Sequence, residues 1–233
     1  MRSGRTAAAL AVALGLAGGA TGAEARCAMR PLRPQLMTPL AGRIPRDGAL
    51  LVGLRPGPGR GRGGFPAAFA LERRRRSVAL ARVPIAPGLV RLVPEGRARG
   101  RYRVPTLPGA PEVIFGRPGL PAPPIAPRVQ EVHRFLVAAV GRGAPRTEVR
   151  ATLTHPVPAG VVAVVTWWAG DTEPAVFVPA QPMAREALLF ASPRRCTSAP
   201  EGTRPPPEQT TARVAFVDVY GQLSPRSDPR PVR

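Results

Sequence analysis

All 34 basic residues of this 233-residue chain are arginine, against 14 acidic residues. The guanidinium fork matches phosphate and carboxylate oxygens two at a time, so dense arginine is chemistry for holding acidic polymers. The densest stretch holds Arg55, Arg60, Arg62, then Arg73, Arg74, Arg75 and Arg76 in a row, then Arg97, Arg99, Arg101 and Arg103. Within it, residues 59–65 read GRGRGGF, the form of a short RGG box that tracks polyanions. The candidate polyanion-binding residues are Arg60, Arg62, Arg73, Arg74, Arg75, Arg76, Arg101 and Arg103. The competing reading is a solvated surface. Four consecutive arginines cannot all face one side of a strand, because side chains alternate across it.

Trp167 and Trp168 form the second constellation. Adjacent strand residues face opposite sides, so one ring is expected in a core and the other outside. The outer one is a candidate for stacking on a sugar or partner, or an edge ring covered by a neighbouring domain. The remaining sets are weaker. His133 and His155 have no cysteine neighbours and few acids nearby, short of a metal ligand count. Asp171 and Glu173 flank a turn after the tryptophans and supply two side chains where calcium takes six or more oxygens. The serines have no G-x-S-x-G context. The chain has no lysine, which excludes a Walker A loop, a Schiff-base lysine and pyridoxal chemistry. It has no asparagine, hence no N-glycosylation acceptor. With two histidines and two cysteines there is no zinc finger or zinc protease signature. No catalytic residue, metal or cofactor is expected.

Lysine and asparagine have A/T-rich codons, whereas arginine, alanine, glycine and proline have G/C-rich ones. A G+C-rich bacterial genome accounts for that bias, but not for the excess of bases over acids. Residues 1–25 read as a Sec-type secretory leader: Arg2 and Arg5, the apolar run Ala7–Leu16, then Ala23-Glu24-Ala25 as the cleavage site. The run is too short to span a bilayer; an uncleaved anchor helix is the alternative. No later segment reaches transmembrane length. A secreted or periplasmic location favours pairing Cys27 with Cys196 as a structural disulfide, with free or intermolecular thiols as the alternative.

These side chains need a scaffold, and its signals are those of strands. Glycine and proline supply 57 residues, 25 and 32 respectively. Short β-branched runs are punctuated by PRDG, APG, PEG, LPG, PVPAG and AGD turns. Strands are expected at Ala49–Leu54, Ala67–Leu71, Ser77–Ile85, Gly88–Val93, Gly100–Val104 and Glu112–Phe115. Others follow at Val129–Val140, Glu148–His155, Gly160–Trp168, Ala175–Val178, Ala187–Phe190 and Thr211–Tyr220. Short helices compete only at Gln181–Phe190 and Ala67–Arg76. Residues 117–127 are too proline-rich for a ladder and read as a stiff spacer. Charge divides there: residues 26–110 carry 18 arginines and 3 acids, and residues 111–233 carry 14 and 10.

Three segments carry a family likeness. Pro39–Asp47 (PLAGRIPRD) resembles the opening turn of bacterial Ig-like domains. Gly88–Gly96, followed by Gly100-Arg-Tyr-Arg-Val104, resembles their later strand and tyrosine region. Ala212–Ser227, with Asp218 before a small turn and Ser224-Pro225 at its exit, is similar to the last hairpin of Ig-like or fibronectin type III modules. The resemblance implies an all-β chain with two Ig-like β-sandwich domains in tandem, 26–116 and 128–233. Such sandwiches host many roles; with a leader and no catalytic residue set, the expected role is a non-enzymatic cell-envelope protein for binding, adhesion or scaffolding, with a protein or glycan partner. The alternative is an acidic-polymer binder (polysaccharide, lipopolysaccharide or extracellular DNA) acting through the arginine-rich first domain.

Overall fold

The computed structural model describes residues 30–38, 43–57, 63–116, 119–138, 145–193 and 199–233. The expected leader, Cys27, Cys196, Arg60 and Arg62 lie outside the described residues. The fold is all-β, with no helix among the described residues. The two competing helical readings are therefore corrected. Residues 67–76 enter a two-strand hairpin, and 181–190 form a turn and a strand, because both segments present alternating rather than helical apolar faces.

Fifteen strands follow one another: β1 Leu32–Leu36, β2 Arg43–Ile44, β3 Leu50–Pro56, β4 Phe69–Arg73, β5 Arg76–Ala86, β6 Leu89–Pro94, β7 Gly100–Arg103 and β8 Glu112–Phe115. Then come β9 Val129–Val137, β10 Arg146–Leu153, β11 Val161–Trp168, β12 Val176–Pro179, β13 Glu186–Ala191, β14 Thr211–Asp218 and β15 Arg230–Pro231. The first eight make one sheet in the order β1-β3-β6-β5-β4-β7-β8-β2. All its pairings are antiparallel except β2 with β8. The other seven make a three-stranded sheet, β13-β10-β9, and a four-stranded sheet, β12-β11-β14-β15. No strand lies between residues 119 and 128, where Pro121 accepts a hydrogen bond from the Gln222 side chain at 3.0 Å.

Three apolar layers organise these sheets. The eight-stranded sheet closes over Leu50, Val52, Phe69, Leu71, Leu92, Tyr102, Val104 and Phe115. The two later sheets face each other across Val149, Leu153, Val164, Trp168, Leu189, Phe190 and Phe216. The third layer joins the halves: Leu51, Ile85, Ala86 and Leu89 share a cluster with Ala163, Val165, Trp167, Phe177, Ala215 and Val217. Strand β11 makes this possible because it is apolar on both faces. Val161, Val164 and Trp168 join the second-half core, while Ala163, Val165 and Trp167 join the seam. Polar bonds cross the seam as well. The Thr38 hydroxyl donates to the Val219 carbonyl at 2.9 Å and accepts from the Leu51 amide at 2.8 Å. Asp218 shapes the adjoining turn by accepting from the amides of Tyr220 (2.9 Å) and Gln222 (2.8 Å), and Tyr220 then packs on the first-half core.

Candidate functional site

The four-arginine run folds as a hairpin. Arg73 and Arg76 are cross-strand partners at the ends of β4 and β5, and Arg74 and Arg75 make the turn. Arg74 takes a left-handed φ of 52°, a conformation that glycine, asparagine or aspartate occupies with less strain. All four side chains are exposed. Beside the turn runs the segment before β7, where Ala98 is buried and Arg97 and Arg99 point out. The six arginines and Tyr102 line a cleft of about 640 Å³.

Backbone and side chains fix the floor of this cleft. Arg73 Nη1 donates to the Arg99 carbonyl at 3.1 Å. It lies 2.7 Å from where a Cβ on Gly100 would stand, and Gly100 has a φ of +95°. A side chain at position 100 would thus crowd the guanidinium and strain the backbone. The Tyr102 ring is buried edge-on to Phe115, and its hydroxyl accepts from the Arg99 amide at 3.4 Å.

Arg101 and Arg103 behave differently, although sequence reasoning grouped them with the run. They flank Tyr102 on β7, and their outward side chains reach Glu112 on β8, at 3.6 Å and 3.4 Å. Other arginines are neutralised too. Arg146, Glu148 and Arg150 alternate along β10, on one face of the strand. Glu148 is 2% exposed and pairs with both arginines, Arg150 at 2.8 Å. Arg150 also reaches Glu186 at 3.4 Å. The hydrogen bond from Arg150 to Glu148 raises the guanidinium further above its ordinary range. The R-x-E-x-R spacing was the signal for this cluster, which sequence reasoning missed. By contrast, no carboxylate among the described residues lies within ion-pair distance of Arg73, Arg74, Arg75, Arg76, Arg97 or Arg99.

Of the two readings of the outer tryptophan, the stacking one is corrected. The two rings do take opposite faces, but Trp167 is 4% exposed and Trp168 is 3% exposed. Trp168 packs edge-on to Phe190 in the second-half core and donates from Nε1 to the Arg204 carbonyl at 2.9 Å. Trp167 sits in the seam with the Arg226 guanidinium 4.4 Å from its ring centre. The first half and Arg226 cover the ring that was the stacking candidate. Asp171 is held by its own turn, accepting from the Trp168 amide at 3.4 Å and pairing with Arg204 at 3.2 Å. His133 pairs with Glu131 at 2.9 Å, and its hydrogen bond and charge hold that carboxyl below the usual range. His155 is exposed.

No protein-family model matches this chain, and no curated protein matches it in sequence.

Proposed function

We propose that the chain is a secreted or periplasmic, non-enzymatic cell-envelope protein, built of two Ig-like modules that serve binding, adhesion or scaffolding. Strand order supports the modules. Lettered in chain order, β9 to β15 give A-B-E facing C′-C-F-G, which resembles a fibronectin type III sandwich. In the first half β1-β3-β6-β5 gives A-B-E-D and β4-β7-β8-β2 gives C-F-G-A′, with the parallel A′–G pair found in many Ig modules. Tyr102 supports the same reading. It lies in strand F and its hydroxyl accepts from the Arg99 amide three residues upstream, as in a tyrosine corner. On this reading residues 1–25 are a secretory leader, the source is a G+C-rich bacterium, and the modules span 26–116 and 128–233.

Within that class, one observation favours binding of an acidic polymer by the first half. The chain neutralises arginines at Glu112, Glu148 and Asp171, yet it leaves six together around one cleft. Like charges held together raise the local potential and attract counter-ions. An array of glycans and polyanions, read at about 50 mM and about 200 mM salt, tests the reading through counterion release. Acidic ligands captured at low salt and largely lost at high salt support it. Capture of neutral glycans alone, insensitive to salt, overturns the polyanion reading and leaves the adhesion class standing.

A further inference from the structure

We infer that the cleft beside the β4–β5 turn is a binding site for densely phosphorylated ligands. This rests on the polyanion reading above and narrows it to one place and one ligand chemistry. The place follows from pairing and clustering together. Other described arginines, among them Arg33, Arg55, Arg82 and Arg91, also make no ion pair, but the six at this turn are gathered around one cleft. The nearest acids in sequence, Glu72 and Glu95, are exposed and make no ion pair with it.

The turn itself displays the charge. The chain has 25 glycines and places them at positive φ in seven other described positions. Arg74, like Ala110 and Met183, takes a left-handed φ without being glycine, and it is the charged one of the three. Arg73, tied to the Arg99 carbonyl and seated over Gly100, gives the cleft one pre-positioned fork. The exposed side chains of Arg74, Arg75, Arg76, Arg97 and Arg99 surround it.

Ligand chemistry follows from charge against volume. A cleft of about 640 Å³ takes a ligand of several small groups rather than one ion. A phosphate monoester brings a charge of about −1.5 to −2 and three acceptor oxygens, where a carboxylate brings one charge and two oxygens. Six guanidinium groups in that space are matched by a few adjacent phosphoryl groups, each taken by a fork. A soluble phosphate chain and a multiply phosphorylated lipid headgroup share this chemistry.

The test uses the full secreted chain, sodium tripolyphosphate as the soluble probe, and phosphatidylcholine vesicles with or without a bisphosphorylated lipid. One variant carries Arg74→Gln, Arg75→Gln and Arg97→Gln, all exposed positions. A control removes the same charge through Arg82→Gln, Arg101→Gln and Arg103→Gln. Thermal melts verify that both fold. The cleft variant is expected to lose tripolyphosphate or vesicle affinity by about tenfold or more, the equivalent of one charge-assisted contact. The control is expected to lose no more than about threefold, a screened long-range effect. Binding to tripolyphosphate identifies a soluble source, and binding to the phosphorylated vesicles alone a lipid-borne one. Equal losses in the two variants overturn the localised site and leave salt-dependent polyanion binding intact. Polyglutamate binding as tightly per charge as tripolyphosphate overturns the phosphoryl preference. Absence of binding to every polyanion at low salt overturns both this inference and the reading beneath it.

Discussion

Replacing Leu89 by alanine should destabilise the second half of the molecule from a position in the first. Leu89 is fully buried in the seam that also holds Trp167 and Phe177. Burying a leucine side chain contributes about 1.5–3 kcal/mol, and the cavity left by truncation adds to that. The surrounding aromatic rings are rigid and cannot collapse into the space, so a loss of about 3–4 kcal/mol is expected, within the range for buried leucines. For a chain of this size that lowers Tm by about 6–16 °C. Both tryptophans lie in the second half, which makes the assay specific. In a Trp167→Phe background, Trp168 alone reports on the second-half core, away from the seam. Its fluorescence transition should shift with the far-UV circular dichroism transition when Leu89 is truncated. If Trp168 melts at an unchanged temperature while a separate dichroism transition moves down, the seam does not couple the halves and the reasoning fails.

Two further outcomes follow from the buried and paired charges. Glu148→Gln should cost about 1–3 kcal/mol in chemical denaturation, below the range for a fully buried broken pair because Arg146 and Arg150 can rehydrate. His133→Ala should raise the Glu131 titration midpoint toward the ordinary carboxylate value, followed by NMR. Because the folded carboxyl is depressed, its contribution is present above the unfolded pKa and is lost as pH falls through the folded one. The contribution is therefore present at neutral pH, and the pH dependence it adds to stability falls in the acid range, where it is lost.

Most strands were legible because the turns are written in glycine and proline and the runs between them are β-branched. The Glu112–Phe115 expectation coincides with β8, and the Gly160–Trp168 expectation differs from β11 by one residue. The strands β1, β2 and β15 were not anticipated. β1 contains Pro34, which argues against a central strand but is tolerated at an edge, where β1 lies. β2 and β15 are two residues each, too short to show a period. The stacking reading of the tryptophans failed for a tertiary reason. Alternation assigns the two rings to opposite faces, but only the partner half decides whether the second face is wet. A run apolar on both faces, as in Val161–Trp168, already pointed to cover on both sides. For the arginines, sequence located the cluster but not its division. Arg101 and Arg103 are held by Glu112 on the far side of β7 from β4, and Glu112 stands opposite Arg103 only through the β7–β8 register. Arg97 and Arg99 join the cleft because Ala98 is buried between them.

The proposed binding resides at the arginines around the β4–β5 cleft, and side-chain NMR of isotope-labelled arginine tests it directly. On titration with tripolyphosphate, the guanidinium resonances of Arg73, Arg74, Arg75, Arg76, Arg97 and Arg99 should move together and saturate. Those of Arg101 and Arg103, held by Glu112, and of Arg146 and Arg150, held by Glu148, should stay near their starting positions. Shifts of similar size at every exposed arginine in both halves, without saturation, would contradict the account.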